Sequence, residues 1–286
     1  MSALFDWQQQ TIVMGILNLT PDSFSGDGLL NQADYQEKAL EQAAQFVHDG
    51  ALILDIGGES TRPGAQSVSA EDELERVLPV VTELISKLPG TILSVDTYKA
   101  EVAEKVLQAG AHMINDVWGL RADPQMASVI ARHNAHVVIM HNRDARDNVE
   151  IQQNLGGHYT KTTYADLIAE VSQELMDSVR IAETAGIPGD HIILDPGIGF
   201  AKTVEQNLFL LNHLDEIAKL GYPLLLGVSR KSFIGYTLDL PPAERLEGSL
   251  AANAIGILRG ANILRVHDVK QTIRLARMVD AVLKSG

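Results

Sequence analysis

The residues able to do chemistry recur at one place in a repeating pattern, the end of a short apolar run. Asn18 follows Ile12–Leu17, Asp55 ends Ala51–Asp55, Asp96 ends Thr91–Asp96, and Asn115 ends His112–Asn115. Met140-His141 closes Ala135–Met140, and Asp195 ends His191–Asp195. Ser229-Arg230-Lys231 follows Tyr222–Val228, while Arg265 and His267 come at the close of Asn262–Val266. A short aliphatic run suits a strand buried on both faces. A carboxylate at its end is carried to the lip of an apolar scaffold, where it needs hydrogen-bonding partners. The sharpest case is Asp195-Pro-Gly-Ile-Gly-Phe-Ala-Lys202. Pro196 lacks the N–H that would continue a ladder, and Gly197 and Gly199 permit a tight turn around the charge.

These side chains sort by the ligand chemistry they suit. Asp96, Asn115, Asp195 and Lys231 could together grip a flat polar heterocycle. A carboxylate accepts two adjacent N–H donors, and an ammonium donates to an exocyclic oxygen. Asn18, Thr61, Arg62, Arg265 and His267 form a second set, suited to phosphate oxygens. Asn18 there offers a neutral oxygen to Mg²⁺. Blander readings stand beside these. Arg62 and Arg265 could be structural ion-pair partners, and Lys231 a surface lysine starting a helix. Lys231 could also be a Schiff-base nucleophile, but a basic loop past the strand end is a poor place for a buried amine of depressed pKa. Asp55 and Glu59 could act as bases; Asp55 could equally brace a neighbouring loop, and both are left outside the site.

Elements must position these groups. Between the apolar runs lie helical patterns at Ala33–His48, Ala70–Lys87, Ala100–Ala109, Pro124–His133, Tyr164–Ala185, Val204–Leu220, Pro242–Arg259 and Val269–Lys284. Asn142–His158 reads as a long polar loop, and no stretch carries a hairpin signal. Eight strand–helix units imply parallel strands joined by crossovers. The expected fold is a (β/α)₈ TIM barrel forming a single domain over residues 1–286, with a doubly wound open sheet as the alternative. In such a barrel the C-terminal strand ends form the active face.

Composition narrows the classes. The 286 residues carry a formal net charge of −14, which argues against nucleic acid or an anionic membrane as partner. There is no cysteine, so disulfides, a thiolate nucleophile and Cys-based zinc are excluded. No secretory signal or membrane-length apolar run is visible, and a cytoplasmic location is expected. No HExxH, P-loop or strand-anchored dinucleotide motif is present.

The strand-end segments also carry a family resemblance. Met14–Ser25, Asp55-Ile-Gly-Gly-Glu-Ser-Thr-Arg-Pro-Gly64, Ser94-Val-Asp-Thr97 and Ile114-Asn-Asp116 resemble segments of the dihydropteroate synthase family, as do Asp195–Lys202, Gly227-Val-Ser-Arg-Lys231 and Arg265-Val-His-Asp268. They run in family order over nearly the whole chain. The resemblance implies a homodimeric TIM barrel that condenses 6-hydroxymethyl-7,8-dihydropterin diphosphate with 4-aminobenzoate, giving 7,8-dihydropteroate and diphosphate. It implies that Asp96, Asn115, Asp195 and Lys231 hold the pterin, with Met140 lining its pocket. Asn18 would meet Mg²⁺ and diphosphate; Arg62, Arg265 and His267 would meet diphosphate. Thr61, Pro63, Phe200, Lys231 and Ser232 would border the aminobenzoate pocket, where sulfonamides would compete. Lys231, Arg265 and His267 would be the catalytic groups. The sequence departs from the family pattern at Ser25-Gly26-Asp27, at Met140-His-Asn-Arg-Asp144 and at Trp118. Rival readings are a methyltetrahydrofolate:corrinoid methyltransferase and a synthase paralogue that has lost catalysis.

Overall fold

The computed structural model describes residues 10–20, 34–60, 67–143, 148–152 and 154–285. Its centre is a set of parallel strands: β1 (Ile12–Asn18), β2 (Ile53–Gly57), β3 (Ile92–Asp96), β4 (Met113–Asp116) and β5 (His136–Met140). After a separate antiparallel pair, β6 (Val149–Gln152) and β7 (Gly156–Tyr159), come β8 (Ile192–Asp195), β9 (Leu225–Leu226) and β10 (Ile263–Val266). The eight-stranded ladder runs β8-β5-β4-β3-β2-β1-β10-β9. A parallel bridge between Leu194 and Leu224 brings its two ends together, and the Leu194 N–H donates to the Pro223 carbonyl at 2.9 Å. The sheet is therefore a nearly closed barrel, as the strand–helix alternation implied.

Helices surround it: α1 (Tyr35–Asp49), α2 (Ala70–Lys87), α3 (Ala100–Gln108), α4 (Met126–His133), α5 (Leu167–Thr184), α6 (Val204–Asn212), α7 (Leu214–Ala218), α8 (Ser232–Leu238), α9 (Leu246–Leu258) and α10 (Val269–Leu283). Local chemistry sets their ends. The Ser69 side chain caps α2 by accepting the Asp72 N–H at 3.1 Å, and Glu71, Asp72 and Glu73 lie at the positive end of its dipole. Thr203 and Gln206 form a capping box that starts α6.

Side-chain parity explains how the barrel makes a site. One apolar cluster fills the interior: Ile12, Met14, Ile53, Ile92, Met113, Val138, Ile193, Leu225 and Ile263. Alternate residues on a strand share a face. Two residues beyond these come Ile16, Asp55, Ser94, Asn115, Met140, Asp195, Gly227 and Arg265; two further come Asn18, Asp96 and His267. The interior thus changes from hydrocarbon to charge along its own axis. Outward-facing residues such as Leu54, Val95, Ile114 and Leu264 join the second, larger cluster beneath the helices.

Three elements differ from expectation. The loop read at Asn142–His158 contains the β6–β7 hairpin, whose apolar alternation is confined to Val149, Ile151 and Tyr159. The single helix expected over Val204–Leu220 is two, interrupted at His213. The seventh barrel strand keeps only Leu225–Leu226, and an extra short helix, α8, follows Lys231 before the expected α9. Pro241 and Pro242 separate those two helices because neither can donate a helical hydrogen bond.

Candidate active site

The C-terminal rim encloses a cavity of about 360 Å³, within the ordinary range for small-ligand sites. Asn18, Asp96, Asn115, Met140, Asp195, Phe200, Lys231, Ser232, Arg265 and His267 all line it. The remaining expected site residues, Thr61, Arg62 and Pro63, lie outside the described residues, as does the departure at Gly26-Asp27. Ladder register accounts for the convergence. Asp96 pairs with Asn115, Met140 with Asp195, and Met14 with Arg265 across neighbouring strands.

At the floor lies a network the sequence reading omitted. Asp55 is fully buried, and its Oδ2 accepts from Asn115 Nδ2 at 3.0 Å and from Arg265 Nε at 2.6 Å. Arg265 Nη2 donates to Asp96 Oδ2 at 2.7 Å. A carboxylate can only accept, so Asp55 compels the Asn115 amide to present its NH₂ downward and its oxygen elsewhere. This places Asp55 within the site's supporting structure rather than outside it. It also joins the two charge sets that the sequence separated, because Arg265 of the second set pairs with Asp96 of the first and, through Asp55, with Asn115. The signal was available: Asp55 has the same interior parity and strand-end position as Asp96 and Asp195.

Electrostatics follow from burial. Desolvation pushes Asp96 up to about 7; Arg265 opposes this, while Asp55 adds to it. Asp195 is also raised by desolvation, against the pull of Lys231 and the Gly197 N–H, which donates to its Oδ1 at 2.7 Å. Asp96 Oδ1 is buried without a hydrogen-bond partner, an acceptor still open to a ligand. Burial lowers Lys231 to about 8, with Asp195 opposing that shift. Burial thus depresses this amine even in a basic loop past the strand end, where the sequence made such a shift harder to maintain. Lys231 is half-buried, its amine donates to the Ile198 carbonyl, and it sits 4.7 Å from the centre of the Phe200 ring. Gly199 makes this approach possible: it has φ +85°, and a Cβ there would stand 2.9 Å from Lys231 Cδ.

The turn after β8 is held from below. Lys202 is buried, and its amine meets His141 Nδ1 at 2.9 Å and the Gly197 and Phe200 carbonyls at 3.1 Å. Asn207 Oδ1 accepts the Gly199 N–H at 2.6 Å, and its Nδ2 donates to the Lys202 carbonyl at 3.1 Å. These contacts hold the turn so that Gly199 and Phe200 line the cavity. Neither Lys202 nor Asn207 carried a role in the sequence reading, since apart from His141 their partners are main-chain atoms near the turn itself. His267 lies nearby, its Nδ1 3.0 Å from Ser229 Oγ. Glu59 also lines the cavity, held by Lys99 and by the Tyr98 hydroxyl at 2.8 Å. Arg230 also lines the cavity and pairs with Asp268 at 2.6 and 2.9 Å. Of the other departures, His141 is buried against Lys202, and the Trp118 N–H donates to Asp116 Oδ1 at 2.8 Å.

Residues 14–267 match the family described as pterin binding enzyme. A Bacillus subtilis dihydropteroate synthase is 51% identical over 280 residues, covering 98% of this chain and 91% of its own. The chain belongs to the dihydropteroate synthase family. A crystal structure of the Clostridium difficile family member, in the presence of pteroic acid, superposes with a TM-score of 0.87 at 45% identity, covering 97% of this chain and 98% of that one. The Yersinia pestis enzyme in a sulfonamide drug complex gives 0.89 at 39% identity, covering 99% and 97%. The family is one of transferases in folate synthesis, which separates this chain from the corrinoid methyltransferase alternative.

Proposed function

We propose that this cavity condenses 6-hydroxymethyl-7,8-dihydropterin diphosphate with 4-aminobenzoate, and that its own residues divide the work as follows. The observation carrying this reading is the convergence of Asp96, Asn115, Asp195, Lys231 and Arg265 on one cavity at the end of the barrel. Asp96 Oδ1 and the Asp195 carboxylate accept pterin N–H groups, the Asn115 amide oxygen accepts another, and Lys231 donates to a ring heteroatom. Charge-assisted hydrogen bonds of this kind are worth roughly 1.5–3 kcal/mol each. Arg265 and His267 face the diphosphate, with Thr61 and Arg62. Thr61, Pro63, Phe200 and Ser232 border the arylamine. In the reaction the methylene C–O bond breaks and its electron pair leaves with the diphosphate. The arylamine nitrogen then bonds to the methylene carbon and loses a proton. The positive charge of Arg265 stabilises the departing anion, and positioning of the two rings supplies much of the remaining acceleration.

Mg²⁺ belongs to the same proposal. No group of three or more His, Asp or Glu is assembled for a metal among the described residues, but Asn18 brings one neutral oxygen to the cavity edge. That donor set fits an ion that keeps its waters and is held chiefly by substrate phosphates. The bound ion would neutralise charge on the leaving diphosphate. A homodimer is proposed as well, supported by the exposed apolar side chains Ile255, Leu258, Met278 and Val282 on the adjoining helices α9 and α10. A cytoplasmic location completes the reading; no helix among the described residues is long and apolar enough to cross a membrane.

The test is diphosphate release from purified protein, with and without 4-aminobenzoate. Release that depends on 4-aminobenzoate, with matching dihydropteroate formation, is the expected result. Tight pterin binding without release would identify a binding protein that has lost catalysis and overturn the proposal.

A further inference from the structure

Part of the cavity wall comes from outside the barrel. Ile151, Gly156 and Gly157 line it, and all three belong to the β6–β7 hairpin. Ile151 is 66% exposed, the highest value for a large hydrophobic residue among those described. Its cross-strand partner is Gly157, which has no side chain to cover it. The adjacent pair, Glu150 and His158, points to the opposite face. There the His158 ring packs on Tyr236, with 4.3 Å between ring centres. The hairpin therefore anchors one face on α8 and leaves a bare aliphatic side chain at the cavity.

The anchoring is polar and specific. The Tyr236 hydroxyl donates to the Gly156 carbonyl at 3.1 Å. Arg245, fully buried, donates from Nη2 to the Leu155 carbonyl at 3.0 Å, from Nη1 to the Arg230 carbonyl at 3.1 Å and from Nε to the Leu240 carbonyl at 2.9 Å. One guanidinium thus ties the hairpin to the loop that carries Lys231 and Ser232. Gly235 provides the space, since a Cβ there would stand 2.1 Å from Arg245 Nη2.

We propose that Ile151 is a specificity-determining contact for the aromatic ring of the arylamine substrate, on a wall that Arg245 and Tyr236 position. The inference rests on the reaction assigned above. The strand-end acids and amide suit a ring edged with N–H donors, whereas an aliphatic side chain facing bare backbone suits the face of a benzene ring. Ile151 lines the same cavity as Phe200 and Ser232, the residues assigned to the arylamine.

Steady-state kinetics of Ile151→Ala, Ile151→Leu and Tyr236→Phe test it. Ile151→Ala is expected to raise KM for 4-aminobenzoate about five-fold, the effect of partial loss of one aliphatic contact. Its kcat and its KM for the pterin diphosphate stay within about two-fold. Ile151→Leu retains the wild-type KM, and Tyr236→Phe raises the same KM about two-fold through the hairpin alone. An unchanged 4-aminobenzoate KM in Ile151→Ala, or equal rises for both substrates, overturns the inference. A wild-type protein without turnover would defeat the reaction assignment instead. Calorimetry with pteroate then decides: about five-fold weaker binding to Ile151→Ala upholds the contact, and equal binding overturns it.

Discussion

Replacing Asp55 with alanine removes an acceptor that two cavity groups share. Asn115 Nδ2 and Arg265 Nε both donate to its Oδ2, at 3.0 and 2.6 Å. Hydrogen bonds to a charged group contribute roughly 1.5–3 kcal/mol each, so the gross loss is about 3–6 kcal/mol. Two features reduce it. Arg265 keeps Asp96 at 2.7 Å, and the cavity above admits water to the freed donors. A net destabilisation of about 3 kcal/mol results, within the range for breaking a buried pair by removing one partner. At roughly 2–4 °C per kcal/mol for a protein somewhat smaller than this one, Tm should fall by about 6–12 °C. Without Asp55 the Asn115 amide can rotate, and affinity for a non-phosphorylated pterin should fall about ten-fold, equivalent to about 1.4 kcal/mol. Asp55→Asn preserves volume and one acceptor oxygen, so it should lie between wild type and alanine on both scales. Differential scanning calorimetry reads the first quantity and titration calorimetry the second. A Tm within about 2 °C of wild type together with unchanged pterin affinity would refute the claim that Asp55 organises the floor.

Pterin binding should depend on pH with two limbs. Asp96, raised to about 7 by burial, accepts two N–H groups only when ionised, so affinity should climb up to about ten-fold from pH 6 to pH 8, and Asp96→Asn should flatten that limb. Lys231, lowered to about 8, loses its ammonium above that pH, so binding should weaken again there; Lys231→Arg should remove the alkaline decline even if it binds less well. Lys202 is lowered to about 7 by burial, with Asp195 opposing the shift, whereas an unfolded lysine titrates near 10.5. Between those values the unfolded chain binds the extra proton, so this group's contribution to stability rises with pH; urea unfolding of Lys202→Met should lose that rise between pH 7 and 10. Gly197→Ala should fail more simply. Gly197 has φ +69°, and a Cβ there would stand 1.9 Å from the His141 carbonyl oxygen, so a loss of at least about 3 kcal/mol in urea unfolding is expected.

Where sequence reasoning succeeded, it relied on periodicity and on residue type at element ends. Each barrel strand is legible as a short apolar run, and Asp96, Asn115, Asp195, Lys231 and Arg265 stand out as rim groups by their place at the ends of those runs. It fell short where a partner is remote in the chain. The β6–β7 hairpin depends on α8: Tyr236 and Arg245 reach Gly156 and Leu155 across 80 and 90 residues. Val149–Tyr159 alone has too little alternation to announce strands. Asp55 was seen, but its partners Asn115 and Arg265 lie 60 and 210 residues away.

Periodicity is enough for the barrel, because strand and helix periods are local, and residue type at strand ends is enough for the inventory of rim chemistry, because eight such ends meet at one face. How those charges connect depends on contacts between strands far apart in the chain. Ladder register set Arg265 between Asp55 and Asp96, and burial moved the affinities of Asp96 and Lys231 for protons. Both effects depend on distance through space, on which the order of residues along a chain imposes no direct limit.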